Sequence, residues 1–482
     1  MFTMKKYDLI VIGGGAGGLT VAAGAASLGG KVALIEKEEQ PGGDCLHFGC
    51  VPSKALIEIA NRIKSARSLE EFGVHVSDEN IQMESVMKKV KKAIDHIQVH
   101  DDADRFRKLG VDVYIGTGAF HNKNEIIINN SEIVYGKRIV ISTGSRPFVP
   151  PVPGLKENGF ITNETIFSLS TLPKRLLVLG GGPIGIELAQ AMARLGSDVT
   201  VIERSGGILV KEDKEVQHLM NEVLSDEMKL LYHANVNTIE AGQNGKIVHL
   251  TIETANGEEE VSIEVDEILV ATGRTPNSDK LQLDRANVQT DDRGHIKVNE
   301  RLQTNIPHIY AIGDVNGTLP FTHVAGMEGK QVVQNALIGL RRKIDYSNVP
   351  WVTYTSPEVF HLGLTEEEAK EKSLDYDAYK VDLSEVDRFV TDHQTTGFVK
   401  ILTDKKGRII GAHAVGNHAG DWMQEVVFSK QFKKKIGSIS NVIHPYPNHS
   451  AAVQRTADAF WRKKLFDGFL PKVMEKYIRW FR

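Results

Sequence analysis

Cysteine is nearly missing from this chain. Two stand in 482 residues, too few to staple a fold with disulfides or to complete a zinc site from thiolates. Long apolar runs are missing too: no segment approaches the roughly 20 residues of a membrane span, so no integral membrane segment is expected. The formal net charge of -4 leaves no electrostatic footprint for nucleic acid. No apolar leader precedes the first strand, since Met1 to Tyr7 runs straight into Asp8-Leu9-Ile10-Val11-Ile12. No secretory signal is read there, and a cytoplasmic location is the expectation. What remains is ordinary globular material, 41% hydrophobic and 25% charged, at a length that suits roughly two to four domains.

The two cysteines stand in Gly42-Gly43-Asp44-Cys45-Leu46-His47-Phe48-Gly49-Cys50-Val51-Pro52-Ser53-Lys54. Four residues separate the sulfurs, a wider spacing than a thioredoxin-type pair. Pro52 and Ser53 read as the first turn of a helix, because proline is preset for that position. Cys50 then lies at the positive end of the helix dipole, where a thiolate is favoured. A dithiol placed just after a glycine-rich nucleotide loop points to an electron relay.

That loop occurs twice. Gly13-Gly14-Gly15-Ala16-Gly17-Gly18 follows a strand and opens a helix of small residues, and the next strand ends at Glu36. Gly180-Gly181-Gly182-Pro183-Ile184-Gly185 follows Arg175-Leu176-Leu177-Val178-Leu179, and its next strand ends at Glu203. Glycines allow the tight turn and the approach of a pyrophosphate, the helix N-terminus meets its charge, and the acid accepts from a ribose. Each copy closes on a similar strand and turn, Ile141-Ser142-Thr143-Gly144 and Val270-Ala271-Thr272-Gly273. Two nucleotide domains in tandem are the reading, the first one enlarged by the cysteine segment and by a charged helix at about 84–108, expected to be a solvated face.

Beyond Pro276 come a buried strand ending in Gly313-Asp314 and a helix opening at Thr322. Near Val349 the texture changes to an α+β module. It has alternating residues at 351–364, a capping-box start at Thr365, strands near 397–402 and 408–415, and a helix at about 421–431. The module carries His444-Pro445-Tyr446-Pro447-Asn448-His449. Its tail at 461–482 mixes basic and aromatic residues and reads as an amphipathic helix that packs on protein.

Together these motifs resemble the flavin-dependent pyridine nucleotide-disulfide oxidoreductases, a group that includes dihydrolipoamide dehydrogenase, glutathione reductase and mercuric reductase. The resemblance implies an α/β fold of two Rossmann-like domains, for FAD and NAD, followed by an α+β dimerisation domain. Residues 1–148 and 277–348 would form the FAD-binding part, 149–276 the NAD(P)-binding domain and 349–482 the dimerisation domain. FAD would be held by Gly13, Gly15, Gly18, Glu36, Lys54, Thr143, Gly144, Gly313 and Asp314. NAD(H), with NADP(H) possible, would be held by Gly180, Gly182, Gly185, Glu203 and Gly273. Cys45 resembles the outer thiol that attacks substrate and Cys50 the inner thiolate facing the flavin, with Lys54 pairing Glu187. A homodimer follows, with its active site across the interface and His444 lent from the other subunit as acid or base.

Departures from that pattern bear on the small-molecule oxidant. The position five residues after His444, commonly acidic, is His449, which can orient His444 yet offers no negative charge. Asp44 and His47 stand where threonine and asparagine are common, and Tyr446 where threonine is common. A disulfide acceptor of the dihydrolipoamide type is therefore set beside a metal-ion, quinone or electrophile acceptor using the same relay. A non-catalytic NAD-binding protein is the third reading, opposed by Cys45, Cys50, Lys54 and Glu187. No metal ligand set is read from the sequence.

Overall fold

The computed structural model describes residues 4–76, 81–466 and 469–481. Met1, where the leader reading begins, and Arg482, where the tail reading ends, lie outside the described residues. The chain forms two compact units, Met1–Arg204 with His233–Asp345, and Ser205–Tyr232 with Tyr346–Arg482.

In the first unit, Leu9–Ile12, Val32–Glu36 and Ile139–Ile141 are buried at every position, as expected of parallel strands covered on both faces. They belong to a five-stranded parallel sheet in the order Ile309–Ala311, Ile139–Ile141, Leu9–Ile12, Val32–Glu36, Val111–Ile115. The helix Ala16–Ser27 crosses between the first two strands of the chain's order and packs on Thr322–Val333. Their approach depends on a small residue: a Cβ added at Gly17 would stand 3.1 Å from Ile312 Cδ1 and 3.2 Å from Ala325 O.

The second nucleotide motif repeats the design. Arg175–Leu179 lies parallel between Asp198–Ile202 and Glu267–Val270, and Pro183 opens the helix Pro183–Leu195 at the position where proline costs nothing. The turns that end the two copies meet, because Ser145–Pro147 pairs antiparallel with Arg274–Pro276. The charged stretch at 84–108 departs from its reading as a solvated face. It forms Met83–Asp101 and Ala103–Lys108, and Met83, Val86, Met87, Val90 and Ile94 are buried. Its lysines mark only the outer side of an amphipathic helix.

The second unit is built on a five-stranded antiparallel sheet in the order Pro350–Thr353, Glu358–Gly363, Ile409–Gly416, Phe398–Asp404, Tyr376–Asp382. One face is apolar: Phe360, Leu362, Val399, Ile401, Ala412 and Ala414 join Val453 and Phe460 of Ala451–Phe466 in a single core. The register sets a different row across the other face, Trp351 opposite His361, His361 opposite His413, His413 opposite Lys400 and Lys400 opposite Lys380. Thr365 caps Glu366–Glu371 with a full capping box. The tail helix Phe469–Trp480 leaves Val473, Met474, Tyr477 and Ile478 exposed.

Candidate active site

Glycine at 42 and 43 lets the chain fold the cysteine segment back on the first nucleotide loop. Gly43 has φ +64, and a Cβ there would strike Gly15 Cα at 2.7 Å. Gly42 N donates to Gly14 O at 2.8 Å. The helix after it is Cys50–Arg67, so Cys50 occupies the first helical position, and no side chain caps that end. Both cysteines are free thiols. The hydrogen bond from Cys45 lowers the pKa of Cys50 to about 6, helped by Thr322 and the charge of Lys54 against the opposing effect of burial. The same bond, together with burial, pushes Cys45 upward. Both shifts favour Cys50 over Cys45 as the thiolate of the pair.

Around this pair the Lys54 ammonium lies 2.8 Å from Glu187 Oε2, and Glu187 is 7% exposed at its side chain. Thr322, at the start of its own helix, places Oγ1 3.2 Å from Cys50 Sγ. A cavity of about 400 Å³ is lined by Cys45, Gly42, Val51 and Thr322, with Asp101 and Arg105 also on its wall. Sequence reasoning missed a second cluster. Arg274 lies 3.2 Å from Asp44 and 3.6 Å from Asp314, and Ser145 Oγ donates to Asp314 Oδ2 at 2.6 Å. Arg274 directly follows the repeated turn that ends at Gly273, but its partners come from three distant segments.

The two glycine loops have the makings of nucleotide cradles. The helices that begin at Ala16 and Pro183 have glycine N-caps, no side-chain capping bond and no acid in the first turn. Their leading N–H groups are thus open to a phosphate. Glu36 accepts from Gly14 N at 2.5 Å and Glu203 from Gly181 N at 2.7 Å, which sets both acids beside their loops. Gly313 N donates to the fully buried Glu328 at 2.6 Å. Thr143 Oγ1 donates to Asn277 O at 2.7 Å, and Asn277 N to Gly144 O at 2.9 Å. Gly273 has φ +140, a turn that needs glycine. The residues present fit two nucleotides.

In the second unit His444 and His449 do not face each other through any hydrogen bond. His449 Nε2 pairs with Asp392 Oδ2 at 2.9 Å. His444 Nδ1 meets Val442 O at 3.0 Å, and its Nε2 meets Glu425 Oε2 at 3.0 Å and Oε1 at 3.2 Å. The expectation that His444 lacks an anion is corrected: Glu425 brings the carboxylate from the helix Gln424–Gln431. Nothing at a fixed spacing from His444 signals it, because helix packing and not the local chain makes the pair.

Residues 7–329 match the model of the pyridine nucleotide-disulphide oxidoreductases, and residues 349–457 match the dimerisation domain of the same family. The chain belongs to that family. It is 34% identical to a mercuric reductase of Lysinibacillus sphaericus over 94% of this chain and 83% of that protein. It is 35% identical to the mitochondrial dihydrolipoyl dehydrogenase of Pisum sativum over 95% and 92%. The solved HOCl-induced flavoprotein disulfide reductase RclA of Escherichia coli superposes with a TM-score of 0.83 at 26% identity, over 94% of this chain and 99% of that one. The family uses FAD and NAD(P)H, and the chain is a flavoprotein oxidoreductase with the expected α/β fold. Among the described residues no helix is long and apolar enough to cross a membrane.

Proposed function

We propose that the chain works as a homodimer that draws electrons from NADH through FAD into Cys45 and Cys50 and passes them to a disulfide or a similar small oxidant. The observation that carries this reading is Cys50 at a helix N-terminus, 3.2 Å from Thr322 Oγ1, with Cys45 lining a cavity beside Thr322 and the Lys54–Glu187 pair one helical turn on. Residues 1–148 and 277–348 hold FAD in this reading, 149–276 the nicotinamide nucleotide, and 349–482 dimerise. A cytoplasmic setting, where thiols stay reduced, suits a pair that cycles.

Bound FAD supplies hydride acceptance from the nicotinamide and delivery of the electron pair to a disulfide. Cys45 does the substrate chemistry. It gives up its proton and attacks one sulfur of the acceptor, the acceptor's S–S bond breaks, and the departing half takes up a proton. The Cys50 thiolate then attacks Cys45 in the mixed disulfide, restores the Cys45–Cys50 bond and releases the second half, which is protonated in turn. In this reading His444, contributed by the second subunit, exchanges the contact of its Nδ1 with Val442 O for the Cys45 proton and returns that proton to the leaving sulfur, with Glu425 on its Nε2 as the balancing anion. Lys54 and Glu187 hold each other in place beside Cys50.

Mixing inactive Cys45→Ser chains with inactive His444→Ala chains tests the arrangement. Activity should return in heterodimers after exchange; confirmed exchange without activity removes His444 from the shared site. Glu425→Gln should lower lipoamide turnover by ~10²-fold, within the range of general acid-base help, whereas His449→Glu should change it little. A metal-ion acceptor is the second reading, favoured by the likeness to mercuric reductases. Turnover of Hg(II) or Cu(II) that survives Glu425→Gln, with negligible turnover of lipoamide, would select it.

A further inference from the structure

The row Trp351, His361, His413, Lys400 on the second unit's sheet meets the acids that lead into the helix Lys214–Ser225. Asp213 and Glu215 are taken up by Lys400, at 3.0 and 2.7 Å. Glu212, 5% exposed, turns instead to the histidines. Trp351 Nε1 donates to its Oε1 at 2.8 Å, and His361 Nδ1 lies 2.8 Å from its Oε2.

Both imidazoles are anchored from behind. His361 Nε2 meets Gly363 O at 2.9 Å, and His413 Nε2 meets Leu364 O at 2.9 Å. Each carbonyl fixes its ring with the N–H on Nε2, so each ring offers the lone pair of Nδ1. His361 thereby aims a lone pair at a carboxylate, an arrangement that needs a cation between them. His413 is fully buried, and its Nδ1 has no hydrogen-bond partner. One donor atom from each of Glu212, His361 and His413 lies within 4.8 Å of the others.

We propose that Glu212, His361 and His413 form a site for a divalent cation of the zinc type, separate from the redox pair. Two imidazoles and one carboxylate are a ligand set that zinc accepts, with water in the fourth position. The carbonyls of Gly363 and Leu364 and the indole of Trp351 are the outer partners such ligands need. Burial of all three ligands means that the ion enters as the chain folds.

The test uses full-length FAD-loaded protein with Cys45→Ser and Cys50→Ser, which removes competing thiolates. Refolded with Zn(II) and dialysed, it should keep about one zinc per chain, and X-ray absorption at the zinc edge should show two imidazoles and oxygen. His413→Gln preserves a donor to Leu364 O but deletes Nδ1. It should weaken zinc binding by about 100-fold or more, since outer partners alone are worth about 10- to 100-fold. Should that variant fail to bind FAD or fold, Glu212→Gln, which still accepts from Trp351, replaces it with the same expectation. Zinc that is absent after refolding, bound through other ligands, or retained equally by the variants overturns the site and leaves a proton between Glu212 and His361.

Discussion

The two glycine loops have nearly the same backbone and differ in what closes over them. Gly13 and Gly180 have φ of +105 and +111, and a Cβ on either would strike a carbonyl of the neighbouring strand, at 2.4 Å from Ser142 O and 2.5 Å from Ala271 O. Among the described residues only the first loop is overlaid, by Gly42 and Gly43 on one side and by Ala325 and Ile312 on the other. At the position of Gly17 the second loop has Ile184, which is 38% exposed. Glu36 is buried, whereas Glu203 is half-buried. The difference teaches how one motif serves two ends: a covered loop suits a resident cofactor, an open one a nucleotide that must come and go.

Deleting the cradle in each copy separately gives the largest effect. A Cβ at Gly18 would lie 1.9 Å from Gly13 O and one at Gly185 2.1 Å from Gly180 O. Gly18→Ala should yield protein nearly devoid of FAD. Gly185→Ala should stay yellow while its KM for NADH rises about 5- to 150-fold, the equivalent of roughly 1–3 kcal/mol of overpacking. Loss of FAD from both variants would erase the distinction. The acid at the open loop comes next. Glu203 should accept the ribose hydroxyl and repel a 2'-phosphate, and Arg204 is engaged with Asn235 at 2.8 Å. Glu203→Ala should narrow an NADH preference by about 5- to 150-fold in kcat/KM; a wild type that prefers NADPH refutes the assignment.

A smaller effect comes from the cysteine segment that only the first copy has. With its pKa lowered to about 6, Cys50 should be alkylated at a steady rate above that pH and about tenfold more slowly per unit below it. Cys45→Ala removes the largest cause of the lowering, so the midpoint should move up. At pH 7 the rate should fall about twofold for the first unit of rise and approach about tenfold for each further unit. An unmoved midpoint would assign the thiolate to Lys54 and Thr322. Smallest of all, Gly17→Ala should cost about 1–3 kcal/mol in thermal unfolding of the FAD-loaded protein, and Ile184→Ala less than about 0.5 kcal/mol. Equal costs would mean that the covering helix is not what distinguishes the loops.

What could be read without the structure was whatever the chain states locally. Strands at 175–179 and 198–202 and the capping box at Thr365 follow from short-range chemistry and occur, and the helix read to open at Pro52 and Ser53 occurs two residues earlier, at Cys50. The partners of the key side chains did not show. Thr322 reaches Cys50 across 272 residues of chain, and Glu212 reaches His361 across 149. The helix at 83–101 misled because its charged residues outnumber its apolar stripe, although the stripe decides its burial. His449 misled through its position: it sits five residues after His444, but Asp392 holds it.

The second unit borrows Ser205–Tyr232 from the middle of the chain, and that segment brings the acids that meet Lys400, which is only 2% exposed. On the ribosome these acids are made first and must then wait while residues 233–345 are added, roughly 6–23 s at ~5–20 residues per second. Until the strand Phe398–Asp404 emerges, the borrowed helix has no sheet to close against. A fragment that begins at residue 346 would leave Lys400 with Glu366 alone of its three carboxylate partners. The timing of synthesis, and not a cut between domains, sets when this part of the protein can fold.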